Sequence, residues 1–332
     1  MGKTDNIMYR YMSNKERFAD LFNGIFFQGR NIILPGQLSE ASGKYTTVSQ
    51  EPIRRSRKQQ LSNRNRDIKM LLQSGGVLRI LTVENQKHID YSMPLRCMEY
   101  DVLEYRKQLD ELINSNRIHK DFTTKDEFLC GLKSGNRLSP VYTICLYHGE
   151  ADWNGPWSLA DMMDFQSDTD LFRPFFADYP FRLFCVNAQP DFETFHSELK
   201  MFFMALNQRG NPDGLQQLLT EYDAYQHLSP DTAETLAMLL DMPQIWEKRE
   251  EYMNQDREDY NMCYAVQKWH EQDISKGMTI GREEGLALGR EDKTRQIVTN
   301  MLKRGFSDED ISALAECSRA MIDEMRGALT QK

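Results

Sequence analysis

The most informative part of the chain runs from Arg64 to Tyr100 and reads RNRDIKMLLQSGGVLRILTVENQKHIDYSMPLRCMEY. Two aliphatic runs, Asp67 to Leu72 and Val77 to Glu84, flank the turn sequence QSGG at residues 73–76. Aliphatic runs of this length on both sides of a glycine-containing turn are typical of an antiparallel hairpin. The sequence therefore predicts two neighbouring strands whose open ends lie together.

Two acidic residues stand at that open end. Asp67 begins the first predicted strand and Glu84 ends the second. Side chains alternate between the faces of a strand, so Gln86 points the same way as Glu84 and lies beside Asp67. Carboxylates and other hard oxygen ligands suit Mg²⁺ or Mn²⁺. We expect Asp67 and Glu84 to hold such a cation, which would activate water for attack on a phosphodiester.

The flanking sequence predicts an α/β core. Residues 13–28 form a predicted helix that begins with a capping box, with Ser13 as N-cap and Glu16 three residues later. Strands are predicted at residues 138–147 and 181–186. A helix over residues 91–113 is predicted between the hairpin and these strands. Its apolar stripe comprises Leu95, Met98, Val102, Tyr105, Leu109 and Leu112. The order of helix, strands, helix and strand favours an α/β fold.

A length of 332 residues suggests about two domains. We predict an α/β domain at 1–190, a helical extension at 191–275 and a separate tail at 276–332. Residues 250–275 are charged and are interpreted as a solvated helix or linker. Glycine then recurs at every fourth position from Gly277 to Gly289, which favours a partly flexible helical hinge. The tail is interpreted as a module for packing, homo-oligomerisation or binding of a partner.

Charge is unevenly distributed. The formal net charge of −9 argues against a protein that coats nucleic acid with its whole surface. The segment 52–66, however, holds basic residues and no acid. A solvated loop is one interpretation, and contact with DNA backbone phosphates is the other. Arg96 shares a helix face with Tyr100. A phosphate contact is one interpretation of this pair, and a surface pair is the other. The basic residues of the segment are Arg54, Arg55, Arg57, Lys58, Arg64 and Arg66.

Several other classes of protein lack support. No apolar stretch approaches the ~20 residues of a membrane helix, and the first residues do not resemble a secretory leader. The six cysteines occur singly, which fits reduced thiols in the cytoplasm. Glycine-rich phosphate loops and metalloprotease or hydrolase motifs do not occur, so no small-molecule cofactor is expected. His148, after a predicted strand, is interpreted as part of the loop structure.

The order of these motifs resembles the PD-(D/E)XK nuclease superfamily. The closer similarity is to the Rpn family of recombination-promoting nucleases, which are also described as transposases. It covers about residues 14–190 and 277–327. The segments that carry it, besides the glycine-punctuated tail, are FADLFN at 18–23, VENQ at 83–86, MPLRCMEYDVLEY at 93–105 and PVYTICLYHG at 140–149.

The resemblance implies a metal-dependent DNA endonuclease with a restriction-endonuclease-like core, a mixed sheet flanked by helices. Asp67 and Glu84 would be metal ligands, and Gln86 would occupy the usual lysine position. A glutamine amide orients water by hydrogen bonding but supplies no positive charge. Glu16 or Asp20 would add a third acid from the first helix. The alternative is a nuclease fold with weak or lost turnover that binds DNA or a protein.

Overall fold

The structure is a computed structural model that describes residues 3–48, 61–65, 67–120, 122–165, 169–254 and 256–330. The chain divides into two compact units, residues 1–265 and 266–332. The first unit contains a five-stranded sheet with the strand order β1-β4-β5-β6-β7. The strands are β1 (Leu38–Glu40), β2 (Lys44–Val48), β3 (Leu61–Asn65), β4 (Ile68–Ser74), β5 (Val77–Gln86), β6 (Val141–Tyr147), β7 (Leu183–Cys185), β8 (Met253–Asn254) and β9 (Asp259–Tyr260).

Helices flank this sheet and form the C-terminal part of the chain, so the predicted α/β class is confirmed. The helices are α1 (Lys3–Met12), α2 (Lys15–Phe27), α3 (Met93–His119), α4 (Lys125–Cys130), α5 (Thr169–Phe172), α6 (Leu199–Asn207), α7 (Pro212–Glu221), α8 (Pro230–Leu239), α9 (Pro243–Glu247), α10 (Arg249–Tyr252), α11 (Met262–Lys303), α12 (Asp308–Ala315) and α13 (Arg319–Thr330). Within the described residues, none is both long enough and apolar enough to cross a membrane.

The predicted antiparallel hairpin is confirmed. In the register of β4 with β5, Ile68 lies opposite Val83 and Ser74 lies opposite Val77. The turn between them has φ values of +60° at Gly75 and +74° at Gly76. Two successive positive φ angles are what a tight hairpin turn needs, and glycine adopts them without steric cost. The turn therefore sets the register that brings the open ends of the hairpin together.

The sheet is mixed because α3 carries the chain from β5 to the parallel strand β6. Strand β1 is antiparallel to β4, whereas β6 is parallel to β5 and β7 is parallel to β6. A helical crossover of this kind is the usual connection between parallel strands. Strands β2 and β3 form a separate antiparallel hairpin.

The predicted apolar face of the helix after β5 is wrong. Leu95 is 42% exposed and Val102 is 54% exposed, whereas Asp101 and Glu104 are buried. The reason lies in the sheet below, whose face carries Lys69, Thr82 and Thr143. The Thr143 hydroxyl donates to Asp101 Oδ1 at 2.7 Å, and Lys69 Nζ lies 2.6 Å from Glu104 Oε2. The buried side of α3 therefore carries Asp101 and Glu104 together with the apolar residues Met93, Cys97 and Tyr100.

Helix α2 starts one residue later than predicted. Asn14, not Ser13, is the N-cap, and its side-chain oxygen accepts hydrogen bonds from the backbone N–H groups of Glu16 and Arg17. The Ser13 hydroxyl instead donates to the carbonyl of Tyr9 at the end of α1. The predicted capping box is wrong because Ser13 caps the end of the preceding helix.

The helical segment after residue 190 packs against the first two helices. Arg17 of α2, a buried residue, pairs with Asp231 of α8 and lies 3.5 Å from Glu198. The rings of Tyr11 and Phe202 are 4.4 Å apart. Helices α6 to α8 therefore belong to the same compact unit as the sheet.

Within the segment 250–275, residues 253–254 and 256–265 are not the solvated helix or linker that its charge suggests. Strands β8 and β9 pair there, and Tyr260 is fully buried with its hydroxyl donating to the carbonyl of Ile245 at 2.9 Å. Met262 and Ala265, at the start of α11, are also fully buried. The charged residues of this segment thus flank a buried aromatic anchor.

In the second unit, α11 continues through the glycines from Gly277 to Gly289. The predicted helical character of this glycine segment is thus confirmed. Helices α12 and α13 pack on its end around a small core of Val298, Ile311 and Ile322. Gly305 ends α11 with a φ of +77°, and Ser307 caps α12 by accepting a hydrogen bond from the N–H of Asp310.

Candidate active site

Asp67 and Glu84 lie at the same end of the β4–β5 hairpin. The register that pairs Ile68 with Val83 makes Asp67 and Glu84 the next residues on the two strands. The Asp67 Oδ2 accepts a hydrogen bond of 2.8 Å from the backbone N–H of Asn85. This bond fixes the Asp67 carboxylate against the end of β5, as the antiparallel pairing predicts.

A cavity of about 230 Å³ opens at this end of the sheet. Its walls come from α1, from the ends of β4, β5 and β6, and from the first turn of α3. Four of its lining residues are basic or can become so, whereas one is acidic. The lining residues are Met8, Asp67, Asn85, Gln86, Lys87, His88, Arg96 and His148. A cavity with this composition suits an anionic group such as a phosphate.

Glu84 lies beneath this cavity and is fully buried. Its Oε2 is 3.7 Å from Nη2 of Arg96, and Nη1 of Arg96 is 3.1 Å from Oδ2 of Asp90. Asp90 in turn accepts hydrogen bonds from the N–H of Ser92 at 2.8 Å and from its hydroxyl at 2.7 Å. Arg96 therefore connects the buried carboxylate of Glu84 with the more exposed carboxylate of Asp90.

These contacts change the protonation equilibria of the site. Burial by itself would raise the pKa of Asp90, but the hydrogen bonds from Ser92 and the charge of Arg96 outweigh it and lower that pKa. Burial likewise opposes the charged form of Arg96, but the hydrogen bond with Tyr100 and the charge of Glu84 raise the pKa of Arg96. Arg96 is thus a permanent cation at the cavity wall.

A thiol nucleophile is not favoured next to Glu84. Cys145 pairs with Glu84 in the β5–β6 register and is fully buried. Burial raises the pKa of the Cys145 thiol well above its ordinary value, and the nearby Cys97 thiol and the Glu84 carboxylate raise it further. A buried thiol of this kind stays protonated and unreactive.

Gln86 and His148 form neighbouring parts of the cavity wall. The backbone N–H of His148 donates to the carbonyl of Gln86 at 2.9 Å, and the His148 residue is 4% exposed. A Cβ on Gly149 would collide with the carbonyl oxygen of Lys87 and with the Tyr147 ring, so the chain approaches the end of β5 closely here. His148 is therefore part of the cavity and not only of the loop.

Four lining residues are not among those predicted from the sequence. Asn85, Lys87 and His88 adjoin Gln86 in the chain, so their neighbourhood was the available signal. Met8 comes from α1 and carries no local signal.

The structure does not bring either first-helix acid to the cavity. Glu16 is exposed on α2. Asp20 is buried, and its carboxylate accepts hydrogen bonds from the backbone N–H groups of His196 and Ser197 and from the Ser197 hydroxyl, at 2.6–3.0 Å. Asp20 is therefore occupied in anchoring the start of the helical segment. Among the described residues no group of three or more His, Cys, Asp or Glu side chains could hold a metal ion.

Most of the predicted phosphate contacts lie outside the described residues, namely Arg54, Arg55, Arg57, Lys58 and Arg66. Arg64 belongs to β3, opposite Tyr45 of β2. Arg96 is at the cavity, as its ion pairs show.

The oxygen donors at this site fit a small divalent cation in their chemistry. Mg²⁺ usually takes one or two carboxylate ligands and keeps several waters. Asp67 and Glu84 would supply the two carboxylates. The side-chain oxygen of Asn85 is buried at the cavity and accepts no hydrogen bond from the described residues. An amide oxygen in that position is a further hard donor. The guanidinium of Arg96 is a competing cation for Glu84.

Comparison with protein-family models, with curated proteins and with solved structures finds no match to this chain. The chemistry of the cavity and the order of the motifs therefore carry the functional assignment.

Proposed function

We propose that the protein is a metal-dependent DNA endonuclease with a PD-(D/E)XK-type core. The observation that carries the proposal is the position of Asp67, which lines a mainly basic cavity, next to the buried Glu84. The sheet topology supports it, because three antiparallel strands are followed by a parallel strand reached through a helix. The choice of DNA and of hydrolysis comes from the resemblance to nucleases.

In this proposal Asp67 and Glu84 hold Mg²⁺ or Mn²⁺. When bound, such a cation polarises the phosphodiester and lowers the pKa of a coordinated water. Gln86 projects into the same cavity and orients the attacking water through its amide. Lys87 and Arg96 neutralise the phosphate in the cavity wall. The basic segment from Arg54 to Arg66 would extend the hold on the DNA backbone.

The remaining proposals concern partners and location. All six cysteines are free thiols, which fits a reducing cytoplasm. Helix α11 exposes Ile274, Met278 and Leu288, which would serve a homo-oligomeric contact.

Cleavage of supercoiled plasmid DNA in Mg²⁺ or Mn²⁺ tests the proposal. We expect the parent protein to nick or linearise the plasmid, and Asp67→Asn and Glu84→Gln each to reduce the rate at least ~100-fold. Asp110→Asn is a matched control, because Asp110 is an exposed acid of α3 that pairs with Arg106 on the same helix. Equal rates for the parent and both site variants would overturn the assignment.

A second candidate function is a nuclease fold that binds DNA with little turnover. The pair between Arg96 and Glu84 favours it, because Glu84 already has a cationic partner. In that case DNA affinity would be the same with and without the divalent cation, and it would survive Asp67→Asn.

A further inference from the structure

A buried carboxylate needs a partner charge, and for Glu84 the structure shows which group supplies it. Glu84 is fully buried, and Nη2 of Arg96 lies 3.7 Å from its Oε2. An uncompensated charge at such a position is strongly unfavourable. Arg96 therefore neutralises the proposed metal ligand in the protein as it stands.

Arg96 also has a second, more exposed acidic partner. Its side chain is 31% exposed, and its other terminal nitrogen is 3.1 Å from Asp90, whose carboxylate is 33% exposed. The guanidinium lines the cavity as well. One end of Arg96 thus faces a buried acid, while the other lies at the surface where an anionic ligand would enter.

We propose that Arg96 is an exchangeable counter-ion of Glu84. When a divalent cation binds Glu84, Arg96 leaves that carboxylate and becomes free to bind a substrate phosphate. The proposal rests on the metal site of the proposed function and adds that Arg96 couples metal binding at this site to phosphate binding. A guanidinium and a divalent cation repel each other when they share one buried carboxylate. Arg96 must consequently leave Glu84, and the phosphate is the anion that replaces it as a partner.

This exchange makes metal binding and DNA binding cooperative. Because coupling between two ligands is reciprocal, the cation raises the affinity for DNA by the same factor by which DNA raises the affinity for the cation. Without the cation, Arg96 stays paired with Glu84 and contributes little to holding the phosphate.

Calorimetric titration of the full chain with Mn²⁺ is the first test. We expect Arg96→Met to bind Mn²⁺ ~10-fold more tightly than the parent, because the competing cation is gone. Arg96→Lys keeps the charge and should stay within ~3-fold of the parent. Arg106→Met is the control, since Arg106 is 70% exposed on the same helix and should leave the affinity unchanged. Unchanged or weaker Mn²⁺ binding by Arg96→Met would overturn the proposal.

Asp90→Asn provides an independent variant that removes no buried charge. Loss of the Asp90 carboxylate leaves Glu84 as the remaining acid within ion-pair distance of Arg96, among the contacts that the structure shows. The variant should therefore bind Mn²⁺ ~5-fold more weakly than the parent. Tighter or equal binding would contradict the exchange even if Arg96→Met did not fold.

Fluorescence anisotropy with a labelled duplex, in Ca²⁺ to limit turnover, tests the coupling. The parent should bind DNA ~10-fold more tightly with the cation, and Arg96→Met should lose most of that increase. An equal increase for both proteins would reject the exchange.

Glu84→Gln separates the two proposals. If Glu84→Gln leaves the Mn²⁺ affinity unchanged, the metal site itself is wrong. If it weakens Mn²⁺ binding while Arg96→Met has no effect, the metal site stands and the exchange fails.

Discussion

The Nζ of Lys69 lies 2.6 Å from Oε2 of Glu104, and each of the two side chains is only 3% exposed. This buried ion pair joins β4 to α3. Lys69 lies two residues after Asp67 on the same strand face, and α3 carries Arg96. The pair therefore helps to hold the two elements that supply opposite sides of the cavity.

Removing one member of this pair should be much worse than removing both. We expect Lys69→Met to lower the free energy of unfolding by about 3–5 kcal/mol, because Glu104 would be left without its buried counter-ion. The double variant Lys69→Met/Glu104→Met should recover a large part of this loss. Denaturant unfolding of the four proteins in a double-mutant cycle measures the coupling. A loss below ~1 kcal/mol for Lys69→Met would contradict the argument.

Asp20 and Glu16 should behave differently although both stand on α2. Asp20→Ala removes the acceptor for three donors of residues 196–197 and should cost about 2–3 kcal/mol of unfolding free energy. Glu16→Gln, at an exposed position, should stay within ~0.5 kcal/mol of the parent. Chemical denaturation gives both values. A stable Asp20→Ala protein with abolished cleavage would instead revive the third-acid prediction.

Gly149 should tolerate no side chain. The Cβ of Gly149→Ala would meet the carbonyl oxygen of Lys87, so β5 and the His148 segment would have to separate at the cavity. We expect a loss of about 1–3 kcal/mol in unfolding free energy. Gly135→Ala is the matched control, because nothing lies within 4 Å of a Cβ at Gly135. Comparable melting temperatures for the two variants would show that the close approach is relaxed in solution.

Glu127 should make the loop after α3 sensitive to acid. Hydrogen bonds from the N–H of Ser134 and from the N–H and hydroxyl of Thr123 lower the pKa of Glu127 from 4.5 to about 2. A lowered pKa means that this stabilisation is complete above pH 4.5 and disappears as the pH falls towards 2.

The test is unfolding of the parent and of Glu127→Gln across this pH range. Glu127→Gln should be less stable at pH 7, and the two unfolding free energies should converge as the solution approaches pH 2. A difference that stays constant down to the lowest pH would show that the carboxylate charge is not the cause.

Local patterns in the chain were enough to predict the elements that carry the candidate site. The alternation of residues 67–86 and the Gly75-Gly76 turn predict the hairpin, since both depend on a few neighbouring residues. Antiparallel geometry then places Asp67 beside Glu84 without any knowledge of the remaining fold. The caps at Gly305 and Ser307 are predictable for the same reason.

The surroundings of those carboxylates depend on contacts that no local pattern encodes. The periodicity of α3 predicts that Leu95 and Val102 are buried. Instead Asp101 and Glu104 are buried, because they pair with Thr143 and Lys69 of the sheet. Asp20 finds its partners 176 and 177 residues away, so its acidity alone suggested the wrong role. Arg96 reaches Glu84 because α3 folds back over β5. Each of these outcomes follows from the burial of a charged side chain. The free energy of that burial depends on a specific partner that is distant in the chain, and not on the spacing of residues along it.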